Sequence, residues 1–130
     1  MDHQYKLEWM PGTYAVVQLS ADAPVPDWAA CASGFTSITR SDKELSIVLG
    51  DEQVPEGVET CDRGWVALRI AEPIDFSQSG ILADLITPLA SEEISIFAIS
   101  TYETDILLTK GGTTIATRQA LSNVADVSDL

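Results

Sequence analysis

A chain of 130 residues with 20 acidic against 7 basic side chains carries a formal charge of −13. Nucleic-acid backbones and anionic membranes need clustered cations, so this balance argues against both as partners. At 45% hydrophobic and 21% charged residues, the composition is that of a globular chain long enough to bury roughly two thirds of its unfolded surface.

The apolar pattern switches between strand and helix periods. Tyr14-Ala15-Val16-Val17-Gln18-Leu19 reads as a strand. Pro24 and Pro26 follow, then Asp27 as an N-cap for a short helix through Trp28 and Cys31, ended by Gly34. Phe35 to Arg40 alternates around Phe35 and Ile38. Ser41-Asp42-Lys43 is a turn, and Glu44-Leu45-Ser46-Ile47-Val48-Leu49 is the next strand. Residues 50–64, with Gly50, Pro55, Gly57 and Gly64 among five acidic side chains, read as a solvated acidic linker.

The second half restarts the order with a strand at Trp65–Ile70 and a loop at Pro73–Gly80. Ile81, Leu82, Leu85, Ile86 and Leu89 then form an apolar stripe on one helix face, with Pro88 bending its last turn. Ile94–Ser100 is a buried strand, Thr101-Tyr102-Glu103 a turn and Thr104–Thr109 the return strand. Lys110-Gly111-Gly112 stops it, and Thr113 caps a last helix carrying Ile115, Ala116, Ala120, Leu121 and Val124. No apolar run approaches the ~18–20 residues of a membrane span. The opening six residues have neither the basic nor the apolar segment of an export signal, so a cytoplasmic protein is the default expectation.

The chemistry available is narrow. The two cysteines, Cys31 and Cys61, lie in no CxxC pattern and read as reduced thiols, Cys31 as a buried small residue. His3 is the only histidine, which argues against a Ser-His-Asp triad, a Cys-His pair or a transition-metal site. No Gly-rich phosphate loop and no calcium loop is present, so no cofactor and no metal is expected.

The halves repeat. Ile38–Ile47 lies over Ile99–Leu108 without a gap, with hydroxyls at Thr39 and Ser100 and acids at Glu44 and Asp105. The order strand, helix, strand, strand occurs twice. The expected fold class is α+β, two ferredoxin-like split βαββαβ units with antiparallel sheets and helices on one face. The expected division is a degenerate repeat at 1–60 and a second repeat at 61–130.

Asp75-Phe76-Ser77-Gln78-Ser79-Gly80-Ile81-Leu82, followed by Glu93–Asp105, resembles the ACT domain. More narrowly the chain is similar to small bacterial tandem-ACT proteins, which are related to the CASTOR arginine sensor and, more distantly, to aspartate kinase regulatory domains. Leu7–Gly12, Ala23–Pro26 and Gly34–Thr39 extend the likeness over nearly all of residues 5–125. The resemblance implies a non-enzymatic regulatory protein whose partner is a small-molecule effector, usually an amino acid. A homodimer or another protein partner is compatible with it.

Carried over residue by residue, the resemblance implies a ligand site at Asp75, Phe76, Ser77, Gly80 and Ile81 on the loop. On the second strand and turn it adds Ser100, Thr101, Tyr102 and Asp105. A helix starting near Gly80 offers free amides to a carboxylate, and Asp105 suits an ammonium or guanidinium group. Each residue has a plainer reading: Asp75 and Ser79 as helix caps, Gly80 as relief of crowding at the helix entry, Tyr102 as a turn aromatic on the sheet edge, Ser100 as satisfying a backbone group and Asp105 as an exposed strand residue. The first repeat lacks the Phe-Ser-x-x-Gly loop, so it is expected to be structural. An interaction module with a degenerate site is the alternative function.

Overall fold

The computed structural model describes residues 5–71 and 80–128. It divides into two compact units, one of residues 12–65 and one of the described parts of 1–11 and 66–130.

The 12–65 unit contains β2 (Tyr14–Leu19), preceded in the chain by β1 (Tyr5–Trp9) of the other unit. It continues with α1 (Asp27–Ala30), β3 (Ser37–Arg40), β4 (Leu45–Gly50) and the start of β5 (Cys61–Ile70). The sheet order is β3-β4-β2-β5, antiparallel at each step. That is the order of a split βαββαβ sheet, with residues 61–65 in the fourth strand's place. Where the plan has a second helix, this unit has only a 3-10 turn, Asp51–Gln53, and a loop. Leu45, Ile47 and Leu49 alternate into the core at 0% exposure, against Ala15, Val17 and Ala29.

Three sequence expectations change here. The stretch 50–64 is not a solvated linker. Its last four residues belong to β5, Val54 is buried, and Arg63 donates to the carbonyls of Asp51 (2.5 Å) and Val54 (3.2 Å). Gln53 also ties the turn to Ser33, accepting from its backbone N–H at 2.8 Å. Cys31 is exposed rather than buried, because α1 is a single turn and ends at Ala30; both cysteines are free thiols. Asp27 is the first helical residue and Pro26 the cap, which suits proline's fixed φ.

The second unit holds β1, the rest of β5, α2 (Ile81–Ser91), β6 (Ile96–Ser100), β7 (Asp105–Lys110), α3 (Thr114–Leu121) and β8 (Ala125–Val127). Its sheet order is β6-β7-β5-β1-β8. A split βαββαβ would set the last strand beside the first. Here β1 enters between them, antiparallel to β5 and parallel to β8. This is why the division differs from the expected 1–60 and 61–130: the hydrogen bonds of residues 5–9 go to the second unit. Leu85, Leu89 and Leu121 pack at 0% exposure with Leu7, Leu68 and Leu107. Pro88 lies inside α2 without ending it, and Thr113 stands at the N-cap position of α3, though its hydroxyl makes no cap bond and donates to Lys110 O at 2.7 Å. Among the described residues, no helix is long and apolar enough to cross a membrane.

The two hairpins share one geometry. Arg40 pairs with Leu45 and Ser100 with Asp105, each closing a four-residue turn. Ser41 N donates to Glu44 O (2.9 Å), and Thr101 N donates to Thr104 O (2.8 Å). The repeats therefore stand sixty residues apart, not the sixty-one of the gapless alignment. Side chains alternate faces along a strand, so a one-residue slip exchanges inside and outside. Asp105 matches buried Leu45, not Glu44, and Ser100 matches Arg40.

Candidate functional site

The β6–β7 hairpin end brings Ser100, Thr101 and Asp105 together. Asp105 opens β7 and is 7% exposed, the first of five consecutive buried residues. Across the strand pair, Ser100 Oγ donates to Asp105 Oδ1 at 2.5 Å. No cation pairs with Asp105 among the described residues; a described ion pair, Glu8 with Arg69 at 2.6 Å, lies elsewhere. One carboxylate oxygen is thus engaged by a neutral hydroxyl, and no counterion for the group stands among the described residues.

Thr101 shapes the turn with its side chain. Its Oγ1 accepts from Thr104 N at 3.2 Å and donates to Thr104 O at 3.1 Å. Thr104, which nothing in the sequence singled out, donates from Oγ1 to Ile70 O at 3.4 Å. That bond sets the hairpin end against the point where the chain leaves β5 and enters residues 72–79. Tyr102, at the turn, is 82% exposed.

The predicted loop residues fare differently. Gly80 caps α2 in the left-handed region, with φ +85°. A Cβ there would meet no other described atom within 4 Å, so its glycine answers to backbone conformation. Ile81 is 5% exposed and packs in the core of the unit. Asp75, Phe76 and Ser77, with the suggested cap Ser79, lie outside the described residues. Among the described residues no group of three or more His, Cys, Asp or Glu side chains could hold a metal ion. A concavity of about 210 Å³ lined by Glu92, Ala116, Gln119 and Ala120 contains none of the predicted site residues.

A leucine fills Asp105's place in the other unit, so packing alone does not call for a carboxylate there. A buried ionised group without a counterion is costly. The unit that holds it is α+β, with the sheet of a split βαββαβ plan opened by one inserted strand.

Comparison with known proteins agrees. The ACT domain family matches residues 60–123, and a separate N-terminal-domain family matches residues 12–57. The X-ray structure of protein Atu0741 from Agrobacterium tumefaciens is 34% identical with a TM-score of 0.88, covering 99% of this chain and 97% of that one. Human CASTOR3P (Homo sapiens) is 31% identical over 57% of this chain; the chain spans about half of that relative's length, 53%. The regulatory subunit of aspartate kinase from Thermus flavus shares the fold, with a TM-score of 0.63 at 10% identity over 94% of this chain and 98% of that one. The chain belongs to the ACT-domain proteins.

Proposed function

We propose that this protein is a regulatory module that binds a small effector, an amino acid, at the β6–β7 hairpin end and has no catalytic activity of its own. The observation that carries this reading is Asp105, a buried carboxylate with no counterion among the described residues, where the other unit places leucine. An effector's ammonium supplies the missing charge, and Ser100 holds the carboxylate in place for it. The effector's own carboxylate is then suited to the amides at the start of α2, which follow Gly80. Residues 75–77 are proposed to complete the loop side of the site. Family membership supports a regulatory ligand-binding role, and regulatory ACT domains among the similar structures support a non-enzyme.

The test is thermal unfolding with each of the twenty amino acids at millimolar concentration, on the parent protein and on Asp105→Asn. A ligand at about 100 times its Kd adds about 2.7 kcal/mol, which for a chain of this size is several degrees of Tm. One amino acid should raise the parent's Tm and leave Asp105→Asn unmoved. Without effector, the variant should be at least as stable as the parent, because a buried charge is gone and the amide can still accept from Ser100. A flat panel, or an equal response in the variant, refutes the assignment.

A further inference from the structure

The hairpin equivalence has a second consequence, in the 12–65 unit. Where the other hairpin ends β6 with Ser100, this one ends β3 with Arg40. Its guanidinium reaches the segment between β2 and α1 and holds two backbone carbonyls at once. Nη1 donates to Ala21 O, and Nη2 donates to Ala23 O at 2.8 Å. The two carbonyls converge on one planar fork, the geometry that a guanidinium satisfies and an ammonium does not. Ala23 N in turn donates to Ser20 O at 3.0 Å, so a turn presets the carbonyl-bearing segment. Ala21 and Ala23 are both partly buried, and Ala23 packs against the unit's core together with Val25 and Trp28.

The strand-to-helix segment and the hairpin end are the same two elements that the second unit is proposed to use for its effector. In the first unit they are already bridged, by the chain itself. We infer that the 12–65 unit contains a guanidinium-accepting site, formed by the Ala21 and Ala23 carbonyls, that Arg40 occupies from within. Arg40 is the site's internal ligand and keeps this unit closed to solutes. The inference stands on the Arg40 contacts and not on effector binding by the second unit, so either reading can fail alone.

Arg40 is exposed and touches only backbone oxygens in these bonds, so Arg40→Ala should fold, with a Tm a few degrees below the parent. The carbonyl-carbon resonances of Ala21 and Ala23, with the backbone amide of Asp22, report on the site directly. Methylguanidinium at millimolar concentration should shift those resonances saturably in Arg40→Ala and raise its Tm. Methylammonium at the same concentration should do neither, and the parent protein should respond to neither. Arg40→Gln, whose shorter side chain is polar but neutral and carries no guanidinium, is the second variant and should behave like Arg40→Ala. The inference is overturned if methylguanidinium leaves those resonances unmoved in both variants, or moves them equally in the parent.

Discussion

Asp105 and Leu45 occupy the same hairpin position, and one is a carboxylate and the other a core hydrocarbon. A residue that breaks the packing rule its counterpart obeys is a place to look for function. The likeness to ACT domains points to Asp105 from sequence alone, but its burial was not legible there. Matching Glu44 with Asp105, acid over acid, sets the alignment one residue off and puts Asp105 on an exposed face. Only the strand pairing restores it. Tyr5 is another residue whose environment is set by distant chain: its hydroxyl donates to Asp84 Oδ2 at 2.9 Å, across from α2. Burial first, then the hydrogen bond and charge of Asp84, raise its pKa above the ordinary 10.0. The folded state therefore keeps a proton that the unfolded chain loses near pH 10. Stability from this source is fully present below pH 10 and falls as pH rises from there through the folded pKa. Urea unfolding between pH 9 and pH 11, values about the tyrosine titration, should show this loss in the parent. Tyr5→Phe should show a shallower decline, and equal slopes would mean that Tyr5 does not titrate differently on folding.

Among the elements, those with strong periodicity were legible. The α2 stripe of Ile81, Leu85 and Leu89 is the buried face, and β2, β4, β6 and β7 fall within a residue or two of their apolar runs. What the pattern did not disclose was non-local. β1 is five residues and β8 three, and their stability comes from pairing with each other and with β5, not from local propensity. The start of β5 looked like linker because Asp62, Arg63 and Gly64 are poor strand formers, yet Val16 pairs with Asp62 and Val17 with Cys61. The entry to α2 is legible in part: Gly80 stands where a left-handed residue precedes the helix. Gly80→Ala meets no steric obstacle among the described residues but must hold φ +85°, which costs roughly 1–2 kcal/mol for a residue with a Cβ. Chemical denaturation should report a loss of that size with an unchanged m-value. A loss near zero would show that the chain before α2 relaxes to a right-handed conformation without penalty.

For the whole molecule the dominant fact is a formal charge of −13 on 130 residues. Such an excess keeps the chain soluble and destabilises its compact state through self-repulsion. A described ion pair, Glu8 with Arg69, is about half exposed on both sides, and exposed pairs contribute little that salt can remove. Screening should therefore relieve more repulsion than it weakens attraction. Raising NaCl from about 10 mM, where the Debye length is about 30 Å, to about 0.15 M, where it is about 8 Å, confines each charge to its near neighbours. The expected outcome is a Tm that rises by a few degrees across that range and then levels off, the same with KCl as with NaCl. The same screening should weaken capture of a cationic amino acid more than of a neutral one, because long-range attraction to the acidic surface assists only the former. A Tm that falls on adding salt would mean that close ion pairs, not net charge, govern the electrostatics of this fold.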